Sequence, residues 1–119
     1  MRFPEYFREL FKENVELCFV SFCDVLKGDS IERYDMIKAH LVTRAVENVM
    51  TVISVNSASH YQTAPTAVIY SNGSIVSEAP RNQEYLIAYD YKTPIMGFGP
   101  KGRLQYSLEL VGKDTNERN

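Results

Sequence analysis

Leu17-Cys18-Phe19-Val20-Ser21-Phe22 is the stretch on which the fold turns. It is apolar almost throughout, so periodicity alone reads it in two ways. Taken with its flanks, Phe7, Phe11, Val15, Cys18, Phe22 and Val25 recur at steps of three or four, the stripe of an amphipathic helix. Taken alone, it is a buried strand behind a short helix ending at Glu13. The stripe predicts one long helix, with the buried strand as the alternative. Pro4 suits the first turn, Glu5 and Glu9 suit the positive end, and Gly28 behind Lys27 is the stop.

Downstream, Ile31, Tyr34, Ile37, Leu41, Ala45 and Val49 form an apolar face, while Glu32, Arg33, His40, Thr43, Arg44 and Glu47 form a polar one. This predicts a second helix from about Ser30 to Glu47 or slightly beyond, with Asp29 or Ser30 as its cap. The β-branched run from Val49 to Val55 either extends that helix or begins a strand. Residues 56–65 are small and polar, a loop. Segments 66–70 and 74–78 flank Ser71-Asn72-Gly73, and Asn-Gly predicts a hairpin with a tight type I′ turn.

Tyr85, Ile87, Tyr89 and Tyr91 alternate with Leu86, Ala88 and Asp90, which reads as a strand; at least half of the tyrosines are expected to pack in the core. Residues 93–102 form a Gly- and Pro-rich loop. In 103–111, Leu104, Tyr106, Leu108 and Leu110 alternate with Arg103, Gln105, Ser107 and Glu109, the pattern of a half-buried strand. The order predicts an α+β fold: two N-terminal helical segments packed on one face of a four- or five-stranded antiparallel sheet, with no alternating βαβ pattern. It forms a single domain over residues 1–112, and residues 113–119 are a polar tail.

The composition is that of an ordinary globular domain. Of 119 residues, 45% are hydrophobic and 24% charged, and the net charge of −2 argues against a broadly basic nucleic-acid binder. Five of six Phe lie in the first 22 residues and six of eight Tyr after residue 60, which separates a helical front from a sheet behind. No apolar run approaches the length of a membrane span, and the charged N-terminus is not a secretory signal. Cys18 and Cys23, five residues apart, fall on different faces of a helix or strand. They read as two buried free thiols in a reducing, cytoplasmic setting.

Catalytic patterns are thin. No HExxH, CxxC, GxSxG or phosphate-loop spacing occurs, and the scattered carboxylates predict neither metal nor cofactor. His40 sits on the polar helix face and His60 in a loop beside Tyr61. The stretch between Asp90 and Glu109 contains no acid but carries Lys92, Lys101 and Arg103, with Met96 and Phe98 among them. Cations beside exposed apolar groups are the chemistry of a contact surface. The candidate ligand- or partner-binding residues are therefore Phe98, Lys101, Arg103, Lys92, Met96, Arg81, His60 and Tyr61.

Three functions follow in order. The first is a non-enzymatic binding protein acting through a protein–protein surface, with a protein partner or self-association to cover the apolar surface of the Phe-rich first helix. The second is a receptor for a small anionic ligand such as a nucleotide, with Phe98 on the base and Lys101, Arg103 and Arg81 on phosphate. The third is a hydrolase-like enzyme using His60.

Overall fold

Helix α1 runs from Pro4 to Lys12 and stops there. The computed structural model describes residues 3–25, 31–59, 61–93 and 98–110, without the side chains of 31, 32, 98–100 and 103. Proline occupies the first turn as expected. The stop is made by Asn14, whose φ of 64° is left-handed, and by the Val15 N–H, which reaches back to the Leu10 carbonyl at 3.2 Å. Asn accepts that conformation better than most residues, because its short amide bonds locally. Residues Leu17–Phe22 then form strand β1. The long helix is thereby corrected: a helix continued through Val15 would have shown its apolar residues all round, whereas the strand divides them between two faces. Gly28, Asp29 and Ser30 lie outside the described residues, as do Met96, His60 and the 113–119 tail.

Helix α2 spans Ile31–Asn48, close to the expected bounds. It ends as α1 does, on a left-handed residue (Val49, φ 48°) and a back bond from the Met50 N–H to the Ala45 carbonyl at 3.0 Å. Two residues later the chain enters β2, Thr51–Asn56. Strands β3 (Ala67–Ile69) and β4 (Ile75–Glu78) follow, and helix α3, Phe98–Leu110, comes last.

The sheet order is β1-β2-β3-β4. β1 and β2 are parallel, with Leu17 opposite Thr51 and Phe22 opposite Asn56, while β2–β3 and β3–β4 are antiparallel. The sheet is therefore mixed rather than antiparallel. β1, α2 and β2 make a crossover unit of the kind the sequence reading denied, because a parallel pair needs a long connection and α2 supplies it. The α+β class itself stands.

The β3–β4 hairpin forms where expected, with a different turn. Only Gly73 has a positive φ (90°); Asn72 does not. The Gly73 N–H donates to the Tyr70 carbonyl and the Tyr70 N–H to the Ser74 carbonyl, each at 2.9 Å. This is a three-residue loop closed by a left-handed glycine, not a two-residue type I′ turn. Asn72 Oδ1 fixes it by accepting the Ser74 N–H at 2.9 Å.

The expected strand over 85–91 has no regular secondary structure and no strand partner among the described residues. The expected strand over 103–111 is helix α3. Its pattern fits both periods over so short a span, and Leu104, Ser107 and Leu108, the less exposed positions, are spaced as a helical stripe. The Gly-rich segment also differs from its expectation, since its second half, from Phe98, is the first turns of α3.

The core lies between the sheet and α2. Phe7, Ile37, Leu41, Ala45, Met50, Val52, Ala64 and Ile69 are buried there, with Cys18, Val20 and Phe22 of β1 packed against them. Phe7 and Phe11 of α1 are buried, whereas Phe3, Tyr6 and Phe19 are exposed. The tyrosines are mostly outside: Tyr85 and Tyr106 are 60% and 67% exposed, which corrects their expected place in the core.

Candidate functional site

In sheets with parallel strands, ligand crevices open beyond the carboxyl ends of those strands. Here β1 ends at Phe22 and runs into Cys23 and Asp24, while β2 ends at Asn56 and runs into Ser57. A polar cluster joins the two ends. Asn56 is buried, and its side chain uses both of its functions. Oδ1 accepts the Asp24 and Ser57 N–H groups at 2.9 and 2.8 Å. Nδ2 donates to the Asp24 and Ala64 carbonyls at 3.1 and 2.8 Å. Thr63 adds its N–H and hydroxyl to the Asp24 carbonyl, at 3.1 and 2.7 Å.

The Asp24 carboxylate meets the first turn of α2. Arg33 Nε and a terminal guanidinium nitrogen approach its two oxygens at 3.2 Å each, a two-point contact that fixes the plane of both groups. Buried Gln62 continues the cluster. Its side-chain oxygen accepts the Asn82 N–H at 2.7 Å, its own N–H donates to Asn82 Oδ1 at 2.9 Å, and its carbonyl accepts Arg81 Nε at 3.0 Å. Asn82 allows this exchange by adopting a φ of 62°.

Arg81 in turn lies 5.8 Å from the Tyr34 ring centroid. The Tyr34 hydroxyl donates to Glu78 and accepts from Lys38 Nζ at 3.1 Å, and Lys38 also pairs with Glu78 at 3.4 Å. Burial pushes the Tyr34 hydroxyl above its ordinary value, with the bond to Glu78 adding to it. The Lys38 ammonium is also raised, chiefly by its bond to Tyr34 and against the opposing effect of burial. Arg33, Lys38 and Arg81 thus stand with Asp24 and Glu78 along one side of the strand ends.

The cysteines differ from expectation. Both are free, but Cys23 is exposed at the β1 end, beside Asp24, and Cys18 is only half-buried. Burial raises the Cys18 thiol and so disfavours its thiolate. Among the described residues no group of three His, Cys, Asp or Glu side chains could hold a metal, and no helix is long and apolar enough to cross a membrane.

Of the candidate residues, the structure brings Arg81 and exposed Tyr61 next to Gln62 at this cluster. Lys92 lies elsewhere, in a shallow groove with Tyr70, Val76 and Tyr89. Lys101 is exposed on α3, the helix that also carries Phe98 and Arg103. His60 and Met96 lie outside the described residues. From the sequence, Asn56, Gln62 and Thr63 read as loop residues and Asp24 as part of the long first helix. The available signal was position: each polar run follows directly on a β-branched or apolar run, where a strand's carboxyl end falls.

No family model matches the chain, and no curated protein matches it either. Solved structures do. A cysteine-to-alanine mutant of a Nesterenkonia amidase from the nitrilase superfamily superposes with a TM-score of 0.58 at 18% identity, covering 92% of this chain and 38% of that one. Nit3 of Saccharomyces cerevisiae, from branch 10 of the same superfamily, gives 0.56 at 19%, covering 99% and 41%. A complex of the Nesterenkonia amidase mutant with butyramide gives 0.52 at 23%, covering 65% and 29%. The likeness is one of fold, and the chain spans about a third of the length of the structures it matches. It corrects the leading functional expectation. The solved structures that share this fold are nitrilase-superfamily proteins, an amidase among them, and not non-enzymatic binding or protein-interaction modules.

Proposed function

We propose that the chain forms a sheet-and-helix layer of an amide hydrolase acting on short aliphatic carboxamides, with the cluster beyond β1 and β2 as one wall of the substrate crevice. The observation that carries this reading is the fold match, which extends over 92% of the chain to an amidase. The cluster supports it chemically. A carboxamide has one carbonyl acceptor and one NH2 donor pair, and binding it needs donors and acceptors held at fixed spacing. Asn56, Thr63 and Arg33 hold Asp24 in that way. Hydrolysis would replace the carbon–nitrogen bond with a carbon–oxygen bond from water and release ammonia and the carboxylic acid. The free thiols fit a reducing compartment, and we place the protein in the cytoplasm on that ground.

The test is ammonia release from butyramide and related short carboxamides by the purified protein, together with butyramide titration followed by amide NMR. Release above the blank, or shifts confined to residues 23–24 and 56–57, supports the reading. Absence of both overturns it.

A further inference from the structure

The neighbouring pairs Val52–Ile69 and Ile53–Val68 of β2 and β3 point to opposite faces of the sheet. Val52 and Ile69 lie in the core with α2, so Ile53 and Val68 mark the outer face. Tyr89 meets that face and borders two grooves. The second, of ≈ 490 Å³, is lined by Tyr70, Tyr89, Val76, Ala88, Asp90 and Lys92. It brings together two phenol rings, two small apolar side chains, one carboxylate and one ammonium. Asp90 and Lys92 are two residues apart, so their Cα atoms lie within about 7 Å of each other. Even so, they form no ion pair with each other, and among the described residues neither is in one with any other group. The Tyr70 hydroxyl donates to the Thr93 carbonyl at 3.3 Å, which ties that ring to the far end of the segment. Tyr91 stands close by: burial pushes its hydroxyl up, the charge of Glu16 and a bond to it add to this, and Tyr70 and Tyr89 contribute as well. A second carboxylate thus backs the tyrosine side of the groove.

We propose that this groove binds a short ω-amino carboxylate, with its ammonium between Tyr70, Tyr89 and Asp90 and its carboxylate on Lys92. The face of a phenol ring attracts an ammonium through the ring quadrupole, and Asp90 adds an opposite charge at the same end. The charges select the class of ligand. A plain cation meets Lys92 and a plain anion meets Asp90, whereas a zwitterion satisfies both. Val76 and Ala88 offer apolar contact to the methylenes between the charged ends, the usual division of labour in a small-molecule site. A chain of a few methylenes suits the bound of about 7 Å between Asp90 and Lys92. The groove shares no lining residue with the Asp24–Asn56 cluster, so this binding and amide hydrolysis can fail separately.

Titration of the purified protein with 4-aminobutyrate, followed by NMR of the backbone amides and tyrosine rings, tests it. Butylammonium and butyrate serve as the single-charge controls. The expected result is saturable binding with shifts centred on Tyr70, Val76 and residues 88–92, and weaker binding of both controls. Tyr89→Leu should weaken 4-aminobutyrate by about threefold to thirtyfold, as loss of a cation–π contact does. Lys92→Gln should weaken 4-aminobutyrate and leave butylammonium as tight or tighter. Where Tyr89→Leu fails to fold, the exposed Lys92→Gln and Asp90→Asn variants carry the test. Absence of saturable binding overturns the proposal, as do shifts centred on residues 23–24 and 56–57. So does a control that binds as tightly as 4-aminobutyrate, or a Lys92→Gln protein that binds it as before.

Discussion

Asn56, the last residue of β2, holds Asp24 from two directions: it accepts the Asp24 N–H at 2.9 Å and donates to the Asp24 carbonyl at 3.1 Å. The carboxyl ends of two parallel strands are thereby fastened through one side chain. Asn56→Ala removes four hydrogen bonds and leaves buried backbone groups unpaired, at a cost of about 2–4 kcal/mol. Urea unfolding measures this, and a loss under 1 kcal/mol, on the order of one ordinary hydrogen bond, would show that water replaces the amide fully.

Gly73 closes the β3–β4 loop against α2. A Cβ there would meet Val46 Cγ2 at 2.8 Å and Val42 Cγ1 at 3.3 Å, on a backbone of φ +90°. Gly73→Ala is expected to cost about 1–3 kcal/mol from strain and contact together. In a Val46→Ala background the same change should cost less, since the contact is relieved and the backbone strain remains. Thermal unfolding of the four proteins gives the coupling, and strict additivity would remove the steric part of the account.

The Tyr34–Lys38–Glu78 group sets a pH dependence. Both Tyr34 and Lys38 have folded values raised above their unfolded ones. The folded state then binds protons more tightly, so the stabilisation is fully present below the unfolded values and is lost as pH rises through the raised ones. Stability should fall in the alkaline range, beyond the ordinary tyrosine and lysine values, and Tyr34→Phe should flatten that fall. A Tyr34→Phe protein with an unchanged alkaline profile would contradict this.

The two thiols should react at different rates. Cys23 is exposed, whereas Cys18 is half-buried with its thiolate disfavoured by burial. Alkylation followed by peptide mass spectrometry is expected to modify Cys23 first by a wide margin at neutral pH. Equal rates would mean that β1 opens at the sheet edge in the native state.

The chain discloses its local structure better than its topology. α2 was legible because eighteen residues carry one consistent stripe, and the hairpin because a glycine in a polar turn has few alternatives. β1 was not, since a uniformly apolar hexapeptide satisfies both periods and the deciding event is the left-handed turn at Asn14. Misreading β1 removed the parallel pair, and with it the strand ends where Asp24 and Asn56 meet. Arg81 and Tyr61 were reached by charge and aromaticity. Asn56 and Gln62 were not, because their role comes from burial beside distant backbone, which no local pattern records.

The crossover from β1 through α2 to β2 also sets an order of assembly. Leu17 pairs with Thr51 and Phe22 with Asn56, so β1 has no sheet partner until all of α2 and β2 has been synthesised. The β3–β4 hairpin closes from neighbouring residues within microseconds, whereas joining β1 to β2 requires closing a long loop first. During synthesis, β1 therefore waits with Phe19, Val20 and Phe22 uncovered.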